Sequence, residues 1–220
     1  MIFDDRQDAA NQLASVLQAY RGEHPLVLAI PRGALILGSI LATRLHGDLD
    51  VVLVRKLRAP RQPELAIGAI DESGWCYLSR DAVHMAIPSR YLEAEQQEQL
   101  TVLAARRTHY ARFRPPVVRE NRITIVVDDG IATGATMIAA LHAARMGRPR
   151  LLVCAVPVAC ARGLDEVRPY ADEVVCIEQS DEAFSVGAFY RSFSQVDDDE
   201  AVAILAAACR SHAAEDTVPR

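Results

Sequence analysis

Short apolar runs alternate with longer amphipathic stretches along most of this chain. Runs of five or six residues rich in Val, Ile and Leu predict buried strands at 25–30, 49–54, 123–127, 151–156 and 173–177. Between them, apolar positions repeat with helical spacing and predict helices at 8–20, 35–45, 90–114, 137–146 and 161–167. Strands that alternate with helices favour an α/β fold with a mainly parallel, twisted sheet flanked by helices.

The middle of the chain departs from this alternation. Two short β-forming segments, 65–71 and 75–78, flank a Glu-Ser-Gly turn and predict a paired hairpin. The long polar helix that follows ends at Pro115-Pro116, because proline cannot continue a helix. We expect one domain over residues 1–220, with a core at about 25–195, a helical insertion at about 80–116, and a C-terminal helix with a frayed tail at about 197–220.

The amino-acid composition excludes several classes of function for this chain. Of the 220 residues, 50% are hydrophobic and 24% charged, which suits a globular domain. The formal net charge of −5 excludes a basic surface for general nucleic-acid binding. No apolar stretch approaches the roughly 18 residues of a membrane span, and the N-terminus lacks the segments of a signal peptide. The five cysteines form no Cys-x-x-Cys pair and suit a reducing compartment, so we expect a cytoplasmic protein. From the charge and hydropathy given above, we expect no nucleic-acid or membrane partner.

One segment carries the most specific chemical pattern in the chain. The β-branched run Ile123–Val127 leads into two adjacent carboxylates, Asp128 and Asp129, and then into a small-residue loop, 130–136, that opens a helix. Backbone N–H groups in such a loop and in the first helical turn have no partner within the helix and can bind a phosphate. Two threonines in the loop add hydroxyl donors. The segment therefore predicts an anion site.

The paired carboxylates would repel a phosphate, so we expect them to face another group. A sugar diol fits, since carboxylates accept hydrogen bonds from paired hydroxyls, and phosphate with diol describes a ribose 5-phosphate. The spacing excludes a P-loop, because three residues separate Gly130 from Gly134 and Ala135 follows, and the dinucleotide glycine pattern is absent. The remaining alternative is a plain strand-to-helix turn with an acidic start, which explains neither the paired aspartates nor both threonines.

With these residues in view, the segment resembles the phosphoribosyl-pyrophosphate (PRPP) motif of type I phosphoribosyltransferases: a hydrophobic strand, two acidic residues, Gly and then Thr-Gly-x-Thr. Thr124 is a mild departure within the strand. With the segments 65–70 and 184–190, the chain is similar to a bacterial group of predicted phosphoribosyltransferases of unassigned substrate. The resemblance implies PRPP contacts at Asp128, Asp129, Gly130, Ala132, Thr133, Gly134, Ala135 and Thr136.

The loop after the first predicted strand is a second candidate phosphate contact. Arg32 supplies forked donors suited to phosphate oxygens, and Gly33 permits close approach of the backbone. Taken alone, the two residues describe a tight turn with a solvated arginine equally well. The loop is similar to the pyrophosphate loop of the type I family, which implies that Arg32 and Gly33 bind PRPP.

A basic run follows the second predicted strand and includes Arg55, Lys56, Arg58 and Arg61. A charge run seen alone is most often solvated surface. This one looks like the flexible catalytic loop of the type I family, whose basic residues reach the pyrophosphate. The resemblance implies catalytic roles for Arg55 and Lys56, which are preferred because the strand end fixes their position.

The resemblance also implies a small hood, contributed by terminal segments, that covers the acceptor. Phe184, Val186 and Tyr190 could form its stacking surface, although ordinary packing explains each of them singly as well. Asp128 and Asp129 would hold Mg²⁺ through water, and Asp129 would accept a proton from the incoming nucleophile.

The implied activity is Mg²⁺-dependent transfer of the phosphoribosyl group of PRPP to a nitrogenous, nucleobase-like acceptor, with release of pyrophosphate. The expected partners are PRPP and a small-molecule acceptor, and a homodimer is one expected assembly. The alternative is a non-catalytic regulator of the same fold that senses PRPP or a nucleotide. Such a regulator would carry a DNA-binding helix-turn-helix or a basic face, and this sequence shows neither.

Overall fold

The computed structural model describes residues 2–114, 117–181 and 185–215 of the chain. The strands in these ranges are β1 (Leu26–Ala29), β2 (Asp48–Val51), β3 (Val54–Ala59), β4 (Gln62–Asp71), β5 (Cys76–Leu78), β6 (Ile123–Val127), β7 (Leu151–Cys160) and β8 (Glu173–Ser180). Five of them form a parallel sheet in the order β2-β1-β6-β7-β8. The predicted parallel α/β architecture is confirmed, and each strand of this sheet lies at one of the predicted apolar runs.

Helices cover both faces of the parallel sheet. They are α1 (Arg6–Val16), α2 (Ala34–Leu45), α3 (Arg80–Val83), α4 (Ser89–Ala111), α5 (Ala135–Arg145), α6 (Ala161–Val167) and α7 (Asp198–Glu215). Neighbouring side chains of a strand point to opposite faces, so Val27 packs in the core beneath α1 and α2, whereas Leu28 packs in the core beneath α5 and α6. None of the helices in the described ranges combines the length and hydropathy needed to cross a bilayer.

The register of the central strands brings two loops together. Ala29 at the end of β1 lies opposite Val127 at the end of β6, and the Ile30 amide donates to the Val127 carbonyl at 3.1 Å. Because parallel strands end at the same edge, the loop after β1 and the loop after β6 emerge side by side. Both carry residues of the predicted phosphate site.

The basic run is a β-hairpin, which corrects its prediction as a flexible loop. β3 and β4 pair antiparallel and turn between Ala59 and Gln62, with Arg61 at φ 64°. β5 adds a third strand, which confirms the predicted pairing of 65–71 with 75–78. The prolines and charges around 60–63 suggested a loop, but Leu57 and Ala59 are buried and hold the first strand of the hairpin against the core.

The predicted helical insertion is present as α3 and α4, but the buried face of α4 is partly polar. Leu103 and Tyr110 are buried as their spacing predicts, whereas Phe113 is 37% exposed. Glu95 and Gln99 are buried instead, at 5% and 1% exposure. The reason is that α4 packs on β3, whose arginines require buried acceptors.

Two strand boundaries differ from the sequence prediction. β2 ends at Val51 rather than 54, and Val54 already belongs to β3. β7 continues to Cys160 rather than ending at 156, because its second half pairs with β8 as far as Ser180. This extension also receives the loop after β6, through a bridge between Ile131 and Ala159.

Candidate active site

A cleft of about 330 Å³ opens at the carboxyl ends of β1 and β6. Its lining residues come from four separate parts of the chain. They include Arg32, Lys56, Asp128, Thr133, Val186 and Phe193. Val186 and Phe193 form an apolar wall of the cleft beside its charged residues.

The loop between β6 and α5 is fixed to the neighbouring strand. The Ile131 amide donates to the Val158 carbonyl at 2.9 Å, and the Cys160 amide donates to the Ile131 carbonyl at 2.8 Å. Ile131 is buried, so these bonds hold the middle of the loop while Ala132 and Thr133 stay exposed to the cleft. The loop is therefore preorganised for a ligand.

Gly134 ends this loop in a conformation and position that require glycine. Its φ is +85°, and a Cβ there would lie 2.7 Å from the Gly163 carbonyl oxygen. α5 begins at the next residue, Ala135, which is buried and does not line the cleft. Thr133 and Thr136 do line it, so the unpaired N–H groups of the first helical turn border the cleft.

The loop between β1 and α2 also lines this cleft and lies directly beside the acidic loop. Arg32 lines the cleft with a side chain 36% exposed, and its nearest acidic partner is Asp198 at 3.7 Å. The peptide bond between Pro31 and Arg32 is cis. A Cβ at Gly33 would lie 2.4 Å from Asp129 Oδ2, so only glycine lets the two loops approach this closely.

The two adjacent aspartates have different surroundings, although both line the cleft. Asp129 forms a two-pronged ion pair with Arg6: Nε donates to Oδ1 at 3.0 Å and Nη2 donates to Oδ2 at 2.9 Å. Asp128 accepts the Asp129 amide at its Oδ1, at 2.8 Å. Within the described residues its Oδ2 accepts no hydrogen bond.

Burial dominates the electrostatics of this carboxylate pair. It raises the pKa of Asp128 to about 8, together with the negative charge of Asp129, while Lys56 and Arg6 oppose the shift. Burial also raises the pKa of Asp129, against the opposing effect of its ion pair with Arg6. A cation or a hydrogen-bond donor at Asp128 would offset the cost of its burial.

Of the basic residues on the hairpin, Lys56 lines the cleft. Arg55 points to the other face of β3, where its Nε donates to Gln99 Oε1 at 2.9 Å. Arg58 binds Glu95 through Nε at 2.9 Å and Nη2 at 3.0 Å. Arg55 and Arg58 reach the same helix because the strand register shifts beside Arg58. The sequence prediction of Arg55 as a cleft residue is not supported by this geometry.

The predicted hood residues fall in different environments. Val186 lines the cleft, and Phe184 lies outside the described residues. Tyr190 is 4% exposed, and its hydroxyl donates to the Asp129 carbonyl at 2.7 Å. It therefore stabilises the backbone of the acidic loop rather than lining the cleft. Sequence reasoning missed Phe193, which lines the cleft, and Arg6. For Phe193 the sequence offers only the spacing of aromatic residues around 189–193 as an indication. For Arg6 it offers no local pattern.

The protein alone offers few ligands for Mg²⁺. Within the described residues no group of three or more His, Cys, Asp and Glu is placed to hold a metal ion. Mg²⁺ commonly binds one or two carboxylates plus substrate phosphates and keeps several waters. The Oδ2 atom of Asp128 fits that arrangement, with the remaining ligands supplied by the substrate and by water.

Comparison with known proteins places this cleft in a family. A family model described as a phosphoribosyl transferase domain matches residues 4–191, a range that contains nearly all of the cleft. The chain belongs to the phosphoribosyl transferase domain family. Its parallel sheet with flanking helices is the type I phosphoribosyltransferase fold that the motif implied.

Relatives of this phosphoribosyl transferase domain support the assignment over most of its length. A Mycobacterium tuberculosis H37Rv protein named "Putative phosphoribosyl transferase" is 42% identical over 213 residues, which cover 96% of this chain and 48% of the relative. A protein of the same description from strain CDC 1551 matches equally. The chain thus spans about half the length of the curated relatives it matches.

A solved structure shows the same fold at the same level of identity. The crystal structure of TT1426 from Thermus thermophilus superposes with a TM-score of 0.78 and 42% identity. The match covers 94% of this chain and 99% of that chain. Most of this chain therefore shares its fold with that structure.

Proposed function

We propose that this protein is a Mg²⁺-dependent phosphoribosyltransferase that moves the 5-phosphoribosyl group of PRPP to a nitrogenous acceptor and releases pyrophosphate. The observation that carries the proposal is the composition of one cleft. It combines the glycine loop after β6, the carboxylate of Asp128, and the two cations Arg32 and Lys56 from different segments. A ribose 5-phosphate with a pyrophosphate leaving group matches this pattern of charges.

Each part of the cleft has a distinct task in this reaction. The backbone of 130–136 and its threonine hydroxyls bind the 5′-phosphate, since a loop that opens a helix supplies unpaired N–H donors. Asp128 accepts hydrogen bonds from the ribose hydroxyls or from water on Mg²⁺. Fixing the sugar in this way sets the geometry of attack at its C1 atom.

The cations act on the leaving group. Cleavage of the C1–pyrophosphate bond leaves charge on the departing oxygens, and Mg²⁺ on the pyrophosphate would neutralise part of it. Arg32 and Lys56 supply donors to the cleft from two different loops or strands of the chain. One well-placed donor of this kind stabilises a transition state by about 2.7–4 kcal/mol. The interaction of Lys56 should strengthen most in the transition state, because its side chain is exposed and its ammonium group can move toward the departing pyrophosphate.

The acceptor would lie against the apolar wall. Val186 and Phe193 present an aliphatic and an aromatic surface to the cleft, and Phe193 is 38% exposed. A flat, nitrogen-containing ring suits such a wall because aromatic side chains bury large areas by stacking. We therefore propose a nucleobase-like acceptor.

Pyrophosphate release tests the proposed reaction. The protein is incubated with PRPP, Mg²⁺ and a panel of purines, pyrimidines and other nitrogenous rings, and released pyrophosphate is followed with time. We expect one class of acceptor to accelerate release well above the slow hydrolysis of PRPP alone, and chelation of Mg²⁺ to abolish it. PRPP that binds without release under any acceptor would instead favour the non-catalytic regulator.

A further inference from the structure

Arg6 contacts the acidic loop from outside the cleft. It lies in the first turn of α1, is 7% exposed, and does not line the cleft. Its guanidinium occupies both carboxylate oxygens of Asp129, at 3.0 and 2.9 Å. Nothing in the phosphoribosyl transfer described above uses this arginine.

The same guanidinium also binds the segment that carries the apolar wall. Its Nη1 donates to the Ser194 carbonyl at 2.6 Å. Its central carbon lies 3.9 Å from the centre of the Phe193 ring, in a cation–π contact. One side chain therefore joins the acidic loop, the aromatic wall and the N-terminal helix.

Asp129 lines the cleft but makes further contacts that hold it in place. Its side chain is 15% exposed, its carbonyl accepts the Tyr190 hydroxyl, and Gly33 leaves no room for even a Cβ beside Oδ2. A carboxylate held in this way cannot turn toward a ribose without breaking the Arg6 pair. Asp128 needs no such change, because its Oδ2 accepts no hydrogen bond from any described residue.

We propose that Arg6 is a positioning residue that keeps Asp129 as an internal anchor, so that Asp128 is the carboxylate that contacts the ligand. The inference rests on the proposed function and revises its sequence-based form, in which both aspartates bind the ribose or Mg²⁺ and Asp129 accepts a proton. Arg6 neutralises the anchor, and a neutral anchor does not repel the phosphates. It also couples the acidic loop to the wall at Phe193.

The decisive experiment measures PRPP binding in the presence of Mg²⁺ by titration calorimetry for four variants. These are Arg6→Gln, Asp129→Asn, the double variant with both changes, and Asp128→Asn. Each single change at the pair leaves one buried charge without its partner and displaces the loop. We expect binding weakened by about tenfold to a hundredfold in each, since small displacements of a site have effects of that size.

The double variant separates an anchor from a ligand. A neutral Gln–Asn pair can hydrogen-bond across the same gap, so we expect it to recover most of the lost affinity and most of the lost melting temperature. Asp128→Asn should weaken PRPP binding by about tenfold to a hundredfold without lowering the melting temperature. Arg6→Lys should bind PRPP with intermediate affinity, because lysine keeps the charge but cannot span both oxygens.

Arg191→Gln is the matched control. Arg191 pairs with Asp4 at 2.9 Å and joins the same two chain segments, but its exposed ion pair does not reach the acidic loop. Binding by this variant should equal that of the parent. If Asp129→Asn and the double variant both lose binding while melting at the parental temperature, Asp129 contacts the ligand itself and the inference is wrong. If the parent protein does not bind PRPP, the proposed function fails instead.

Discussion

At the scale of single residues, two neighbouring aspartates with the same chemistry acquire different properties from the fold. The sequence predicts that a pair of carboxylates follows a buried strand, and both line the cleft. It cannot predict that one is bound by an arginine 123 positions away. Such a contact depends on how α1 packs against the sheet, and no local spacing encodes that.

The first prediction concerns Asp128. Replacing it with Asn should cost about 1.5–3 kcal/mol of PRPP binding free energy, the value of a hydrogen bond to a charged group. Stability should change little, because burial raises the pKa of Asp128 to about 8 and the fold therefore disfavours its charged form. Calorimetric titration and thermal melting check the two quantities. Asp165→Asn, at an exposed carboxylate on α6, is the control for a change of net charge.

The second prediction concerns Lys56. Lys56→Ala should lower the rate of pyrophosphate release about a hundredfold, as expected for loss of one transition-state donor, and weaken PRPP binding far less. Arg61→Ala removes the same charge at the exposed turn of the same hairpin and should leave both unchanged. Equal losses in the two variants would mean that the hairpin contributes only general electrostatic attraction.

At the scale of secondary-structure elements, the structure explains why the long helix α4 is so polar, which its sequence alone does not show. Glu95 and Gln99 are buried on α4 and bind Arg58 and Arg55 of β3. The periodicity of α4 predicts its apolar stripe, but polar residues on that stripe look solvated until their partners are known. The helix holds the hairpin in place with Lys56 directed into the cleft.

The third prediction compares two acidic residues on this helix. Glu95→Gln should lower the free energy of unfolding by about 1–3 kcal/mol, because the buried carboxylate accepts both the guanidinium and the backbone amide of Arg58. Glu98→Gln should cost less than about 1 kcal/mol, since Glu98 is 61% exposed. Denaturant unfolding measures both. A larger loss at Glu98 would contradict the buried role of Glu95.

The fourth prediction concerns the glycine that ends the loop between β6 and α5. Gly134→Ala should destabilise the protein through both its positive φ and the 2.7 Å contact with Gly163, by about 1–3 kcal/mol. Gly22 has the same φ of +85°, but a Cβ there would meet no atom within 4 Å, so Gly22→Ala isolates the backbone contribution. Thermal melting should rank Gly134→Ala as the worse variant, and only that variant should weaken PRPP binding.

At the scale of the whole molecule, the alternation of strands and helices was enough to predict the parallel sheet and the edge at which ligands bind. The hairpin formed by 54–71 escaped prediction because its prolines and charges are typical of loops, whereas its buried Leu57 and Ala59 are evident only in the packed structure. The resemblance to the type I family indicated all four segments of the cleft, whereas the places of Phe193 and Arg6 depend on tertiary packing. That the whole chain forms one domain stays a prediction.

PRPP binding in the cleft is the central claim, and one titration tests it. The fifth prediction is that PRPP with Mg²⁺ binds the parent protein and raises its stability by about 2.7 kcal/mol at a hundredfold excess over the dissociation constant. The measurement is calorimetric titration of the parent, checked by a melting curve at the same concentrations. Saturable binding at one site per chain is the expected result. No heat of binding and no melting shift at millimolar PRPP would contradict the central claim.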